Sequence, residues 1–208
     1  MAGKTYSAAD IQVIEFDQHV WANPTMYFGV RRGDPELATQ VLCAVLGHAL
    51  HPATRVAPAH TPQVEAEVHG DLKFWVADDQ ADALDEQSRA LLGYYGSLLG
   101  PNRWNSAAAA ALSTRTAIEV WRDGYGFRQE LAGLRPIEQP QEIGSPTGAG
   151  TRVAFELDRA YVGAGTALTD DLGSLDLHGL HCSDPHGPGG VVVRDLRDRS
   201  NPAEFHYR

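Results

Sequence analysis

The stretch Val64–Ala83, VEAEVHGDLKFWVADDQADA, constrains this chain more than any other. Alternation of Val64, Ala66 and Val68, then of Leu72, Phe74 and Val76, predicts two short strands, Val64–His69 and Leu72–Ala77, with one apolar face on a core. The second strand runs into the acidic turn Asp78-Asp79, so its end holds the Asp78 carboxylate against that core. Burying such a group without a donor costs roughly 2–7 kcal/mol. Asp78 therefore requires a donor from the protein, from water or from a ligand amine.

On either side the patterns alternate between helical and extended. Residues 1–10 are a polar arm that overlaps a first helix, Ala8–Val20, carried by Ile11, Val13, Ile14 and Phe16. Pro24 ends it, and Asn23–Gly29 reads as a turn leading into a loop. Asp34 and Pro35 introduce a helix over Glu36–Leu50 with the buried stripe Leu37, Val41, Val45 and Leu46. After the linker His51–Pro62 and the strand pair comes a helix at Leu84–Leu99, stopped by Gly100-Pro101-Asn102. Asn105 or Ser106 caps an alanine-rich helix that runs to Leu112. Asp123-Gly124 joins strands Arg115–Arg122 and Tyr125–Leu131 in a hairpin. Gly148–Leu157 is a further strand, Leu168–Leu177 a helix, and Gly190–Leu196 with Ala203–Tyr207 a last hairpin. This order predicts an α+β fold, a two-layer sandwich whose mainly antiparallel sheet is covered on one face by helices, in a single domain over residues 1–208.

A net charge of -10 argues against broad contact with nucleic acid, whose phosphates would be repelled. No apolar run approaches the roughly 18 residues of a membrane span, and MAGKTYSAAD lacks the apolar segment of a secretory signal, so the expected setting is cytoplasmic. Cys43 and Cys182 read as free thiols rather than a disulfide framework. Five-residue spacing aligns Cys43 poorly with His48 for nucleophilic catalysis, which leaves Cys43 as a core residue. The set His178, His181, Cys182 and His186 lacks the spacing of a zinc finger and reads as a polar loop.

Several pieces in one order carry a family resemblance: Tyr6–Val13, Pro24-Thr25-Met26-Tyr27-Phe28-Gly29, Val76-Ala77-Asp78-Asp79, Ala111-Leu112-Ser113, Arg122-Asp123-Gly124, Arg128-Gln129, Gly148–Val153 and Arg194–Tyr207. Together they resemble the N-terminal ATP-binding domain of the DNA gyrase B protein and its type II topoisomerase relatives, within the gyrase, histidine-kinase and mismatch-repair (GHKL) ATPases. The resemblance implies that Asp78 and Thr151 hold an adenine-like base, with Met26 and Gly47 lining the pocket. It also implies that Arg122 stands at the pocket mouth, where the family binds coumarin antibiotics. Gly100, Asn102 and Arg103 fall on the phosphate lid. Tyr6 and Ile11 fall on an arm that reaches a second copy. No transducer or cleavage domain is expected within this length.

Departures from the family pattern fall on the chemistry. Cys43 stands where the family has its water-activating glutamate, and Gly47 where an asparagine holds magnesium. Asp78 is followed by Asp79-Gln80-Ala81-Asp82 instead of a glycine-x-glycine turn, and the lid reads Gly100-Pro101-Asn102-Arg103-Trp104-Asn105. Backbone amides need glycine to approach a polyphosphate closely. The expectation is a protein without ATP hydrolysis that binds an adenine-like or other small planar ligand, an adenine nucleotide without magnesium included, in a regulatory or sensing role. The alternative is an interaction scaffold whose pocket is filled by side chains such as Gln80 and Trp104, paired with a second copy or with gyrase B through the arm. A weak ATPase is a third reading.

Overall fold

The computed structural model describes residues 13–50, 61–144, 147–178 and 189–207. Strands β1 (Gln63–Gly70) and β2 (Lys73–Asp78) form the expected antiparallel pair, with Val64 opposite Asp78 and Val68 opposite Phe74. Seven more strands extend the sheet: β3 (Ser113–Arg122), β4 (Tyr125–Ala132), β5 (Arg135–Pro136), β6 (Gln141–Gly144), β7 (Ala149–Leu157), β8 (Gly190–Asp195) and β9 (Ala203–Tyr207). Their spatial order is β5-β4-β3-β7-β2-β1-β8-β9, and β6 also pairs with β4. Among the described residues, β1 with β8 is the one parallel pairing. The helices are α1 (Phe16–Ala22), α2 (Pro24–Phe28), α3 (Leu37–Leu50), α4 (Trp104–Ala111) and α5 (Arg159–Val162). Helix α3 packs on β1, β2 and β8, and α4 on β3 and β7, giving the expected α+β layering with a mostly antiparallel sheet. No helix among the described residues is long and apolar enough to cross a membrane.

Strand register sorts the two faces. Phe74 pairs with Phe155, Val76 with Val153 and Asp78 with Thr151; across the next interface Ile118 faces Val153 and Val120 faces Thr151. All of these residues are buried under the helices. Period-two alternation therefore places Asp78 on the covered face, two residues beyond Val76. The other face carries charge, with Lys73 on Glu156, Arg115 on Glu130, Arg128 on Glu119 and Arg194 on Glu65 and Glu204. Exposed pairs of this kind contribute only about 0–1 kcal/mol each. They solvate the sheet. The β3–β4 hairpin turns at Asp123 (φ 49°) and Gly124 (φ 91°), both left-handed as a two-residue type I′ turn demands.

Four expectations need correction. Leu84–Leu99 is not a helix: Asp85 Oδ1 accepts from the amides of Gln87 and Arg89, Leu84 bridges to Ala90, and Gly93 and Gly96 permit a single 3₁₀ turn at Tyr94–Gly96. Leu168–Leu177 is also irregular, because Thr169 and Asp171 side chains accept backbone amides two residues on and compete with helix formation. Its leucines 168, 172, 175 and 177 are nonetheless buried. The first helix lies later than expected: α1 starts at Phe16, Val13 and Ile14 are exposed, and Pro24 begins α2 at the position where its missing N–H costs nothing. Finally, neither Asn105 nor Ser106 caps the alanine-rich helix. Arg103 is its N-cap residue, without a side-chain cap bond, and Asn105 instead donates to Ala44 O at 3.2 Å.

Candidate functional site

Asp78 ends β2 with 6% of its surface exposed. Its donor comes from the protein. Arg103, at the end of the 3₁₀ turn Pro101–Arg103, delivers a two-pronged ion pair: Nη1 to Oδ2 at 2.6 Å and Nη2 to Oδ1 at 2.8 Å. The Gln80 amide adds a third donor at 3.0 Å. Arg103 Nη2 also donates to Gln80 O at 3.0 Å, and Thr151 Oγ1 donates to that same carbonyl at 2.6 Å. Gln80 Nε2 reaches Ala49 O at 3.4 Å. Asp78 and Thr151, brought together by register, are thus bound to the protein itself.

Little room remains beside them. A residual cavity of about 10 Å³, lined by His48, Asp78, Arg103, Ser106 and apolar neighbours, is about the volume one water needs. Trp104 packs edge-on against His48 with ring centroids 5.6 Å apart. Four buried polar atoms in this cluster have no hydrogen-bond partner among the described residues: His48 Nε2, Gln80 Oε1, Arg103 Nε and Asn105 Oδ1. Each such atom costs about 1–3 kcal/mol. Arg103 Nε lies 3.2 Å from Asp82 Oδ2, an ion-pair distance without hydrogen-bond alignment. Arg103 and Asp82 also line a second cavity of about 150 Å³ with Leu98 and the half-exposed Leu91 and Leu92.

The electrostatics follow from burial. Desolvation, reinforced by the Arg103 cation, pushes the His48 imidazole down to about 4. Burial raises the Asp82 carboxyl, and Arg103 partly offsets that rise. Desolvation opposes the charge on Arg103, but Asp78 and Asp82 outweigh it and hold the guanidinium protonated.

The remaining candidate residues are dispersed. Arg122 donates to Asp85 O at 2.8 Å and Ala81 O at 3.3 Å, pinning the irregular segment after β2. Met26 is 74% exposed on α2. Gly47 faces the chain: a Cβ there would stand 2.5 Å from Leu177 O, so glycine allows that carbonyl to approach α3. Cys43 is buried, its thiol pushed up to about 12 chiefly by desolvation. Gly100 and Asn102 sit at the rim of the 150 Å³ cavity. Tyr6, Ile11, His181, Cys182 and His186 lie outside the described residues, among which no group of three His, Cys, Asp or Glu is placed to hold a metal. The sequence pattern does not single out His48 as a member of this cluster, nor Arg103 as the partner of Asp78. The signal for the pairing is the requirement of Asp78 for a donor.

A larger opening lies elsewhere. A groove of about 690 Å³ runs between α1, the end of α4 and the β4–β5 turn, lined mostly by apolar surface that includes Trp21, Ala22, Ala111 and Leu134. The Trp21 indole donates to Ala111 O at 2.6 Å and stays 47% exposed. At one end Asp17 accepts from Tyr95 Oη at 2.9 Å and Arg135 Nε at 3.1 Å, and the Arg135 guanidinium stacks on Tyr95.

No family model matches the chain. It is 30% identical over 182 residues to the B subunit of DNA topoisomerase 4 from Caulobacter vibrioides, an alignment that takes in 77% of this chain and 25% of that protein. This similarity supports a relationship with the B subunits of type II topoisomerases. The chain spans about a quarter of the length of the relative it matches.

Three outcomes follow from this geometry. Removing one partner of a buried ion pair costs about 3–5 kcal/mol, so Arg103→Met and Asp78→Asn should each destabilise strongly in urea melts, and the double variant should lose less than their sum; strict additivity would exclude the pairing. The unfolded His48 imidazole, near 6.5, takes a proton before the folded one near 4, so stability is present above pH 6.5 and is lost as pH falls toward 4. His48→Leu should flatten that slope. Asp82 works with the opposite sign, its folded form taking up a proton first, and it remains in both proteins, so it cancels in the comparison. Gly47→Asn should cost about 1–3 kcal/mol through the clash with Leu177 O; an unchanged urea midpoint would show that the 175–177 segment yields freely.

Proposed function

We propose that this protein is an interaction domain of the topoisomerase B type that works without nucleotide, its base site closed by its own side chains. The observation that carries this reading is the occupation of Asp78 by Arg103, with about 10 Å³ left beside it. A pocket that encloses a nucleotide-sized ligand needs several hundred Å³. The positions aligned with the family's catalytic residues support the same reading. Cys43 is a buried thiol held protonated, and Gly47 makes room for a backbone carbonyl rather than a metal. Loss of a positioned general base alone lowers rates by about 10²–10⁴.

The contact surface in this reading is the groove beside α1, whose half-exposed Trp21 is the kind of aromatic anchor that dominates interface energetics. The partner is a second copy of this chain or a type II topoisomerase of the gyrase B kind, and the arm over residues 1–10, with Tyr6, precedes α1 in sequence and joins the contact. A small planar ligand at Asp78, the other reading of the sequence, first requires Arg103 to leave.

The test pairs calorimetry with sedimentation. Magnesium ATP at millimolar concentration should give no saturable heat and no phosphate release above a Cys43→Ala control. The full chain should sediment as a complex, alone or with the B protein of topoisomerase IV, and Trp21→Glu or deletion of residues 1–10 should weaken it at least ten-fold. A monomer in every mixture, or micromolar ATP binding, would overturn the proposal.

A further inference from the structure

The two edges of the sheet are finished differently. On the β5 side the strands are short, two residues in β5 and four in β6, and Pro136 removes a backbone donor. On the far side β9 is five residues long, contains no proline and keeps an unbroken register with β8, from Ala203 opposite Asp195 to Tyr207 opposite Val191. Among the described residues no strand covers its outer edge, and Ala203, Glu204 and His206 are exposed. An edge of that kind offers a row of N–H and C=O groups, a template for another strand.

The side chains of β9 match themselves in reverse. Turned antiparallel about Phe205, the sequence Ala203-Glu204-Phe205-His206-Tyr207 sets Glu204 opposite His206 of a second copy, and His206 opposite that copy's Glu204. The two groups already meet within one strand, 2.9 Å apart on the charged face, where Arg194 also holds Glu204 at 2.8 Å. On the other face Phe205 meets its own copy at the axis, and small Ala203 lies opposite large Tyr207. Tyr207 is itself fixed, its hydroxyl donating to Leu172 O and accepting from the Leu175 amide. Opposite charges and aromatic pairs directly across an antiparallel pair are favourable, and like charges there are not. A pairing centred on one residue also suits either hydrogen-bonding phase of the ladder.

We infer that β9 is a self-pairing edge: two copies of this chain join β9 to β9, antiparallel about Phe205, and continue one sheet across a two-fold axis. The contact is isologous, each copy giving the same five residues. It goes beyond the groove beside α1, which adjoins the β4–β5 turn at the opposite edge of the sheet. One chain can therefore hold a second copy at β9 and still present its groove. Strands this short bury much less than the roughly 1,000 Å² of a standing interface, so the pairing is a weak, reversible self-association.

Sedimentation velocity of the full chain up to submillimolar concentration, with hydrogen exchange on the same samples, tests the pairing. The sedimentation coefficient should rise reversibly with concentration, and amides within residues 203–207 should exchange more slowly as it does. His206→Glu, which sets Glu opposite Glu twice, should weaken the association about five-fold or more. Glu204→His combined with His206→Glu restores opposite charges and should return the association to within about two-fold of the wild type. Both responses should persist in the Trp21→Glu background. A monomer at every concentration would overturn the pairing, as would association without slowed exchange at residues 203–207. Self-association abolished by Trp21→Glu and untouched by His206→Glu would also overturn it, and would leave the groove as the interface between copies. Failure of the double variant to recover would overturn the register about Phe205.

Discussion

A carboxylate and a guanidinium that are both out of water hold this fold to one arrangement. Asp78 belongs to the centre of the sheet and Arg103 to the turn before α4, so their pairing sets where α4 begins relative to β2. Through Gln80 the same cluster reaches Thr151 on β7 and Ala49 on α3, and Asn105 adds Ala44 on α3. Taking two charges from water costs several kcal/mol per ion, and only close, bidentate geometry with further hydrogen bonds returns it. Buried pairs of this kind are weak sources of net stability. Their effect is geometric, because any packing of α4 that separates the two groups leaves an uncompensated charge inside.

The sheet makes such a cluster possible by dividing its faces. Apolar rows under α3 and α4 exclude water from the Asp78 end, while the opposite face keeps its charges in solvent as cross-strand pairs. Small residues tighten the covered side. Ala107 to Ala110 are fully buried, which lets α4 approach the sheet closely and carries Arg103 within reach of Asp78. Gly150, adjoining Thr151, lies on the opposite face, where a Cβ would collide with the Trp121 ring and crowd Asp78 O.

Much of this is legible in the residues, and the parts that are not share a cause. Period-two alternation locates β1, β2, β3, β4, β7 and the last hairpin, because each strand has one wet and one dry face and the pattern is local. The requirement of Asp78 for a donor is legible too. The donor's identity is not, because Arg103 lies 25 residues away, across a segment whose leucines mimic a helix. Leu84, Leu91, Leu92 and Leu98 fall on one helical stripe, but Asp85, Ser88, Gly93 and Gly96 between them favour turns and prevail. Two of those leucines are buried and two are half-exposed. In the same segment Ser88 and Tyr95 adopt left-handed backbone conformations that a helix does not contain. Strand register sets Thr151 opposite Asp78, the two residues that the resemblance also pairs, and the protein supplies hydrogen-bond partners to both.

The distribution of open volume links the closed site to the surface. Beside Asp78 there is room for about one water, and the space a partner could enter is the 690 Å³ groove along α1. One short element joins them. Helix α4 begins next to Arg103 and ends at Ala111, whose carbonyl holds the Trp21 indole and whose side chain lines the groove. Its eight residues span about 12 Å, and all but the first are buried, so it lacks the solvent-facing slack that would let it bend. Helix α4 therefore has one end in the Asp78–Arg103 cluster and the other at the groove wall, although no residue that lines one cavity lines the other.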